Sequence, residues 1–129
     1  MTQNNTLTVA GYILSALFVL FMIFDVTIKL MRLPIVATTM HDLGWMPAKA
    51  FTIGIIELVC VALYVVPRTA ILGAVLMTGV LGGAVATHFR IDSPVFSHDL
   101  FGVYLGLFMW GGLWLRDEKL RGLFPYRQG

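Results

Sequence analysis

Read for hydrophobic and polar positions alone, the chain falls into four apolar stretches of about twenty residues, separated by short polar breaks. The first runs from about Leu7 to Met31 and ends at a break containing Pro34, a polar run, Gly44 and Pro47. The second runs from about Ala48 to Val66 and stops at Pro67-Arg68, where proline removes a backbone donor. The third covers about Thr69 to Phe89 and ends at Arg90-Ile91-Asp92-Ser93-Pro94; the fourth runs from about Phe96 to Leu115 and closes with "RDEKLR". Crossing hydrocarbon about 30 Å thick takes roughly 20 residues at 1.5 Å rise each, so each stretch has the length of a transmembrane helix. The pattern predicts an all-α, polytopic membrane four-helix bundle: one transmembrane domain over residues 1–129 with a short basic tail over 116–129.

Composition supports that reading. Of 129 residues, 58% are hydrophobic and only 12% charged, with a mean hydropathy of +0.84, outside the balance of a soluble domain. A net charge of +2, with no basic run interleaved with aromatics, argues against nucleic acid as a partner. The single cysteine, Cys60, excludes an internal disulfide and any multi-cysteine metal site, and no metal is expected. The N-terminus lacks the positive n-region of a cleavable signal, so the first stretch is expected to be a retained helix. Four spans put both termini on one face. Arg68, Arg116, Lys119, Arg121 and Arg127 on that face slightly outnumber Lys29, Arg32, Lys49 and Arg90 on the other, which predicts cytoplasmic termini in a multi-pass cell-membrane protein. Tyr12, Tyr64, Trp110 and Trp114 are expected at the same interface as anchoring aromatics.

Helices in lipid associate through small residues and interhelical hydrogen bonds. Gly79-xxx-Gly83 and Gly82-xxx-Ala86 in the third stretch, and Gly102-xxx-Gly106 with Gly111-Gly112 in the fourth, predict close packing of those two helices. The same faces would equally serve a homodimer, so an oligomer is a second expectation.

The charged residues gather by depth. Asp25 lies six residues before the end of the first stretch, about 9 Å below the non-cytoplasmic boundary, and Glu57 lies nine residues into the second, about 13 Å below the same boundary. Lys29 stands four residues after Asp25, the favourable order for an ion pair. His88 and Arg90 close the third stretch on that side, with His41, Asp42, His98 and Asp99 nearby in the loops and at the start of the fourth. An ionised group near the bilayer centre costs about 2.5 to 3.5 kcal/mol or more unless it is paired or wetted. One solution is structural: Asp25 and Lys29 neutralise each other, and Glu57 carries a proton and bonds a neighbouring helix. The other is a polar pocket of Asp25, Lys29, Glu57, His88 and Arg90, open to the non-cytoplasmic face, where a ligand or a partner completes the set. Local satisfaction suffices for Asp25 with Lys29; Glu57, with no partner in its own helix, favours the functional alternative. Cys60, three residues on from Glu57, reads as packing. A haem between His88 and His98 would have to form near the surface rather than in the bundle. No Ser-His-Asp set, phosphate loop or HExxH motif is present, so the catalytic residues are unknown and hydrolytic chemistry has no support.

From about Leu14 to Phe124 the chain resembles the DoxX-like family of small four-helix membrane proteins. "FDVTIKL", "GIIELVCVALYVVPRTAILGAVL", "GGAVATHFR" and "WGGLWLRDEKLRGLFP" carry the resemblance. It implies that Asp25, Lys29, Glu57, His88 and Arg90 occupy the family's polar positions. Relatives named in thiosulfate:quinone oxidoreduction imply a membrane subunit that meets quinone, and distant animal relatives look like assembly chaperones for other membrane proteins. The chain has no cofactor motif of its own, so quinone is the one cofactor the resemblance offers. Two functions follow: a module binding a lipid, a quinone head group or a partner membrane protein, or a membrane subunit of a quinone-linked oxidoreductase.

Overall fold

The computed structural model describes residues 5–90 and 100–127. All regular structure among them is helical: α1 (Asn5–Leu30), α2 (Pro34–Asp42), α3 (Lys49–Val65), α4 (Ala70–Arg90), α5 (Phe101–Arg116) and α6 (Glu118–Leu123), with a single 3-10 turn at Pro67–Thr69 between α3 and α4. The four long helices lie close to the predicted stretches; residues 96–99, assigned to the fourth stretch, fall outside the described residues. Among the described residues two helices are long and apolar enough to cross a membrane, Asn5–Leu30 and Pro67–Arg90, whereas α3 and α5 have 17 and 16 residues there, short of the expected twenty.

Proline sets most of the boundaries. Pro34 opens α2 at its first turn, where a missing N–H costs nothing. Val66, ahead of Pro67, is extended at φ −87° and ψ 120°, the conformation a following proline imposes. The Thr69 hydroxyl then donates to the Leu63 carbonyl at 2.7 Å, satisfying an acceptor that the end of α3 leaves open. Two short helices were not foreseen. Residues 34–42 contain Thr38, Thr39, His41 and Asp42 and read as a polar break, yet Val36 and Met40, four apart, turn inward and pack with Ala50 against Ile28, Leu33 and Ile53. Gly44 ends that segment in the left-handed region at φ +83°, which a side chain would strain.

The long helices pack in the cyclic order α1, α3, α4, α5, with α5 returning to α1. Buried positions on α1 recur at Gly11, Ser15, Phe18, Met22 and Val26, a stripe along one face. The α3 stripe is Ala50, Gly54, Glu57, Cys60, Val61 and Tyr64. Phe18, Met22, Met77 and Met109 are fully enclosed at the centre, and the Phe18 and Tyr64 rings meet edge to face at 5.2 Å. Outside, Ile13, Leu20, Ile23, Phe24, Val59, Leu72, Val75 and Leu107 are exposed, so all four long helices turn apolar side chains outward.

The glycines work only partly as expected. A Cβ on Gly112 would stand 2.1 Å from Ser15 Oγ and 2.9 Å from the Gly11 carbonyl, and one on Gly73 would stand 2.5 Å from the Tyr64 nitrogen. Close approach therefore also joins α1 with α5 and α3 with α4. Gly102 does bring α5 against α4, since a Cβ there would stand 2.8 Å from the Leu81 carbonyl, but a Cβ on Gly79, Gly82 or Gly83 would meet nothing within 4 Å. Spacing alone marks a small-residue face without saying which helix it meets.

Candidate functional site

Lys29 is the centre of the polar cluster. Its Nζ lies 2.7 Å from Asp25 Oδ2, one turn back on α1, and 2.9 Å from Glu57 Oε1 on α3. The reach across helices depends on Gly54: a Cβ there would stand 3.1 Å from Lys29 Cβ and 3.2 Å from a Leu30 methyl, so its absence lets α1 close on α3 at this level. Glu57 follows Gly54 by three residues on the same buried stripe and is only 4% exposed. The side chains of Lys29 and Asp25 are 18% and 24% exposed, so the cluster is shielded on the α3 side and opens on the other. One ammonium faces two carboxylates, and three donors on Lys29 meet two acceptor groups.

The third side of Lys29 borders a cleft. Its volume is about 270 Å³, between the end of α1, α2 and the start of α3, and Lys29, Arg32, Val36, Pro47, Ala48 and Phe51 line it among others. Arg32 is held at φ 56°, a left-handed conformation unusual for a residue with a side chain, where the Arg32 N–H bonds the Lys29 carbonyl at 3.2 Å and the Leu33 N–H bonds the Ile28 carbonyl at 3.4 Å. That turn carries the Arg32 guanidinium over the Phe51 ring, 4.7 Å from its centroid. In the sequence Arg32 counts only as an orientation charge, and Phe51 carries no signal. The signal available was "RLP", a basic residue at the forced end of a helix.

Arg90 donates to the Leu43 carbonyl and lies against Gly44, tying the end of α4 to the turn after α2. His88 sits two residues earlier in the last turn of α4, partly buried. His41 and Asp42 face each other at 4.0 Å, both well exposed. His98 and Asp99 lie outside the described residues. Cys60 is in the hydrophobic core with Met77 and Met109. Among the described residues no group of three His, Cys, Asp or Glu stands together as a metal set would.

A second polar centre lies toward the other end of α1. The Tyr64 hydroxyl donates to the Met109 carbonyl at 2.7 Å and shares a hydrogen bond with Ser15 Oγ at 2.8 Å, while Arg116 Nη2 donates to the same Ser15 oxygen at 3.2 Å. Tyr64, expected at the membrane interface, is thus 2% exposed and joins α1, α3 and α5. Of the other expected anchors, Tyr12 is exposed, Trp110 donates to Thr78 Oγ1 at 2.8 Å, and Trp114 donates to the Phe124 carbonyl at 2.8 Å.

A family model, that of the DoxX-like family, matches residues 13–112. The chain belongs to the DoxX-like family. No curated protein and no solved structure matches it. The matched range of this DoxX-like protein takes in Asp25, Lys29 and Glu57, the cleft, and both walls of the Tyr64 centre, but it stops before Arg116 and α6. Family membership and the two long apolar helices make it a small membrane protein.

Proposed function

We propose that this DoxX-like protein crosses the membrane four times with both termini cytoplasmic, and that it holds the head group of a membrane lipid or quinone in the cleft beside Lys29. The ring of four apolar helices and their apolar outer surface support the first part. The second part is carried by one observation: Lys29 borders the cleft while two of its three donors are engaged by Asp25 and Glu57, leaving one for an acceptor oxygen in the cleft. Arg32 supplies a second cation on the same wall, held there by a backbone conformation that costs on the order of 1 kcal/mol, a cost that tends to persist where function requires it. A carbonyl or phosphate oxygen with a hydrocarbon tail suits two cations set among Leu33, Val36 and Phe51.

Mass spectrometry of small molecules retained by gently extracted protein tests this. The expected result is one lipid or quinone enriched over the bulk membrane extract, and about tenfold less of it with Arg32→Gln. Retention of a quinone would extend the reading to a membrane subunit of a quinone-linked oxidoreductase, with Glu57, bonded to Lys29, as a proton-exchanging group. Enrichment of no small molecule, or the same enrichment in Arg32→Gln, overturns the head-group reading; a membrane protein captured through the cleft in its place would make the site a protein interface.

A further inference from the structure

A second cation is built into the helix packing at the far end of α1. Arg116 is the last residue of α5, and its side chain turns back along the α1–α5 seam, with Nη2 on Ser15 Oγ at 3.2 Å and the guanidinium 4.9 Å from the centroid of the Tyr12 ring. The seam is shaped to admit it. A Cβ on Gly11 would stand 3.2 Å from Arg116 Cβ and 2.7 Å from the Gly112 carbonyl, so a larger residue at position 11 would evict the arginine stem.

Among the described residues its charge has no ion-pair partner. The ion pairs among the described residues are those of Lys29 with Asp25 and Glu57, and of His41 with Asp42. Arg116 Nε is buried with no hydrogen-bond acceptor. The acidic neighbour Asp117 is engaged instead in capping α6, accepting from the Leu120 N–H at 3.1 Å, and Glu118 is exposed in the first turn of that helix. Arg121 differs from Arg116: its Nη1 donates to the Trp114 and Leu115 carbonyls at 2.7 and 2.8 Å, closing the end of α5. Arg116, with one hydrogen bond against two for Arg121, keeps the larger share of its donors free for an acceptor.

The surroundings indicate what fills that need. Tyr12 is 59% exposed, and Val9 and Ile13 beside it are exposed as well, so the guanidinium borders an apolar outer surface. The same end carries Lys119, Arg121 and Arg127, and basic pockets between membrane helices bind acidic head groups. A planar guanidinium is matched in geometry and charge by a phosphodiester, and acyl chains would lie along Val9 and Ile13. We infer that Arg116, with Tyr12 beside it, binds the phosphodiester of an anionic phospholipid at the α1–α5 seam. The site is separate from the Lys29 cleft: Tyr12 and Lys29 stand about 25 Å apart along α1.

Protein reconstituted in nanodiscs of equimolar phosphatidylglycerol and phosphatidylcholine, then released into detergent, provides the test by native mass spectrometry. The wild type is expected to retain phosphatidylglycerol over phosphatidylcholine by about tenfold, Arg116→Gln to bring the ratio near parity, and Arg127→Gln to leave it unchanged. A phosphatidylglycerol carrying a head-group diazirine localises the site without any substitution, and labelling is expected on the wild-type peptide containing Tyr12 or Arg116. Equal retention of the two lipids by the wild type, an unchanged ratio in folded Arg116→Gln, or labelling confined to the Lys29 end overturns the inference. Displacement of the lipid by inorganic phosphate would assign the site to the free ion and also overturn it. Of these outcomes only labelling at the Lys29 end bears on the cleft, where it would support a lipid there while overturning the site at Arg116.

Discussion

The two polar centres along α1 are built by opposite means. Toward its C-terminal end, Lys29 joins Asp25 and Glu57 through two ion pairs beside a cleft; toward its N-terminal end, Ser15 and Tyr64 are joined by neutral hydrogen bonds, sealed where the Gly11 and Gly112 backbones touch. In the first, a single glycine, Gly54, brings the helices close enough for long side chains to bridge them. In the second, glycines on both helices leave no space, and the hydroxyls are fixed by the packing around them. Charges held by long side chains keep partial exposure and spare donors, which suits binding. Short hydroxyls under backbone contact suit holding helices together. The same contrast explains why Arg116, which reaches into the sealed centre from its rim, retains unmatched charge.

The largest effect should fall on the charged centre. Lys29→Met leaves two carboxylates without their cation and is expected to cost about 3 to 5 kcal/mol, read as an earlier midpoint when micellar protein is unfolded with SDS. Replacing Asp25 with Asn and Glu57 with Gln in the same chain should recover most of that loss, because no buried charge is then left unpaired. In the sealed centre, Gly112→Ala drives a Cβ to 2.1 Å from Ser15 Oγ and is expected to cost about 3 kcal/mol in the same titration. Tyr64→Phe removes one buried hydroxyl that bonds Ser15 and Met109 and should cost about 1 to 2 kcal/mol. The smallest effect sharpens the contrast: Gly83→Ala, on an open face, should stay within about 0.5 kcal/mol of wild type. An equal loss at Gly83 and Gly112 would mean that glycine content, rather than the α1–α5 contact, governs stability.

Much of this was legible in the chain and some was not, for identifiable reasons. Depth follows from counting residues along apolar stretches, so Asp25 and Glu57 could be set at one level before their contact with Lys29 was known. Rotation does not follow from such counting. α1, α3, α4 and α5 are apolar nearly all round, so no polar face tells which side turns inward, and the glycine pairs of α4 were assigned to a contact they do not make. Tyr64 looked like an interfacial anchor because tyrosine is common there; its burial depends on Ser15 and the Met109 carbonyl, 49 and 45 residues away. Residues 34–42 concealed a helix because two apolar positions, Val36 and Met40, gave too short a period to read. Arg116 counted as a tail charge since "RDEKLR" reads as solvated, whereas its stem is drawn inward by the space at Gly11.

The account rests on Lys29 coupling α1 to Glu57 of α3, and a double-mutant cycle tests that coupling most directly. Unfolding free energies of wild type, Lys29→Met, Glu57→Gln and the double variant should show the double losing less than the sum of the singles by more than about 1 kcal/mol. Losses that add to within about 0.5 kcal/mol would show that the two residues act independently and would contradict the charged centre described here.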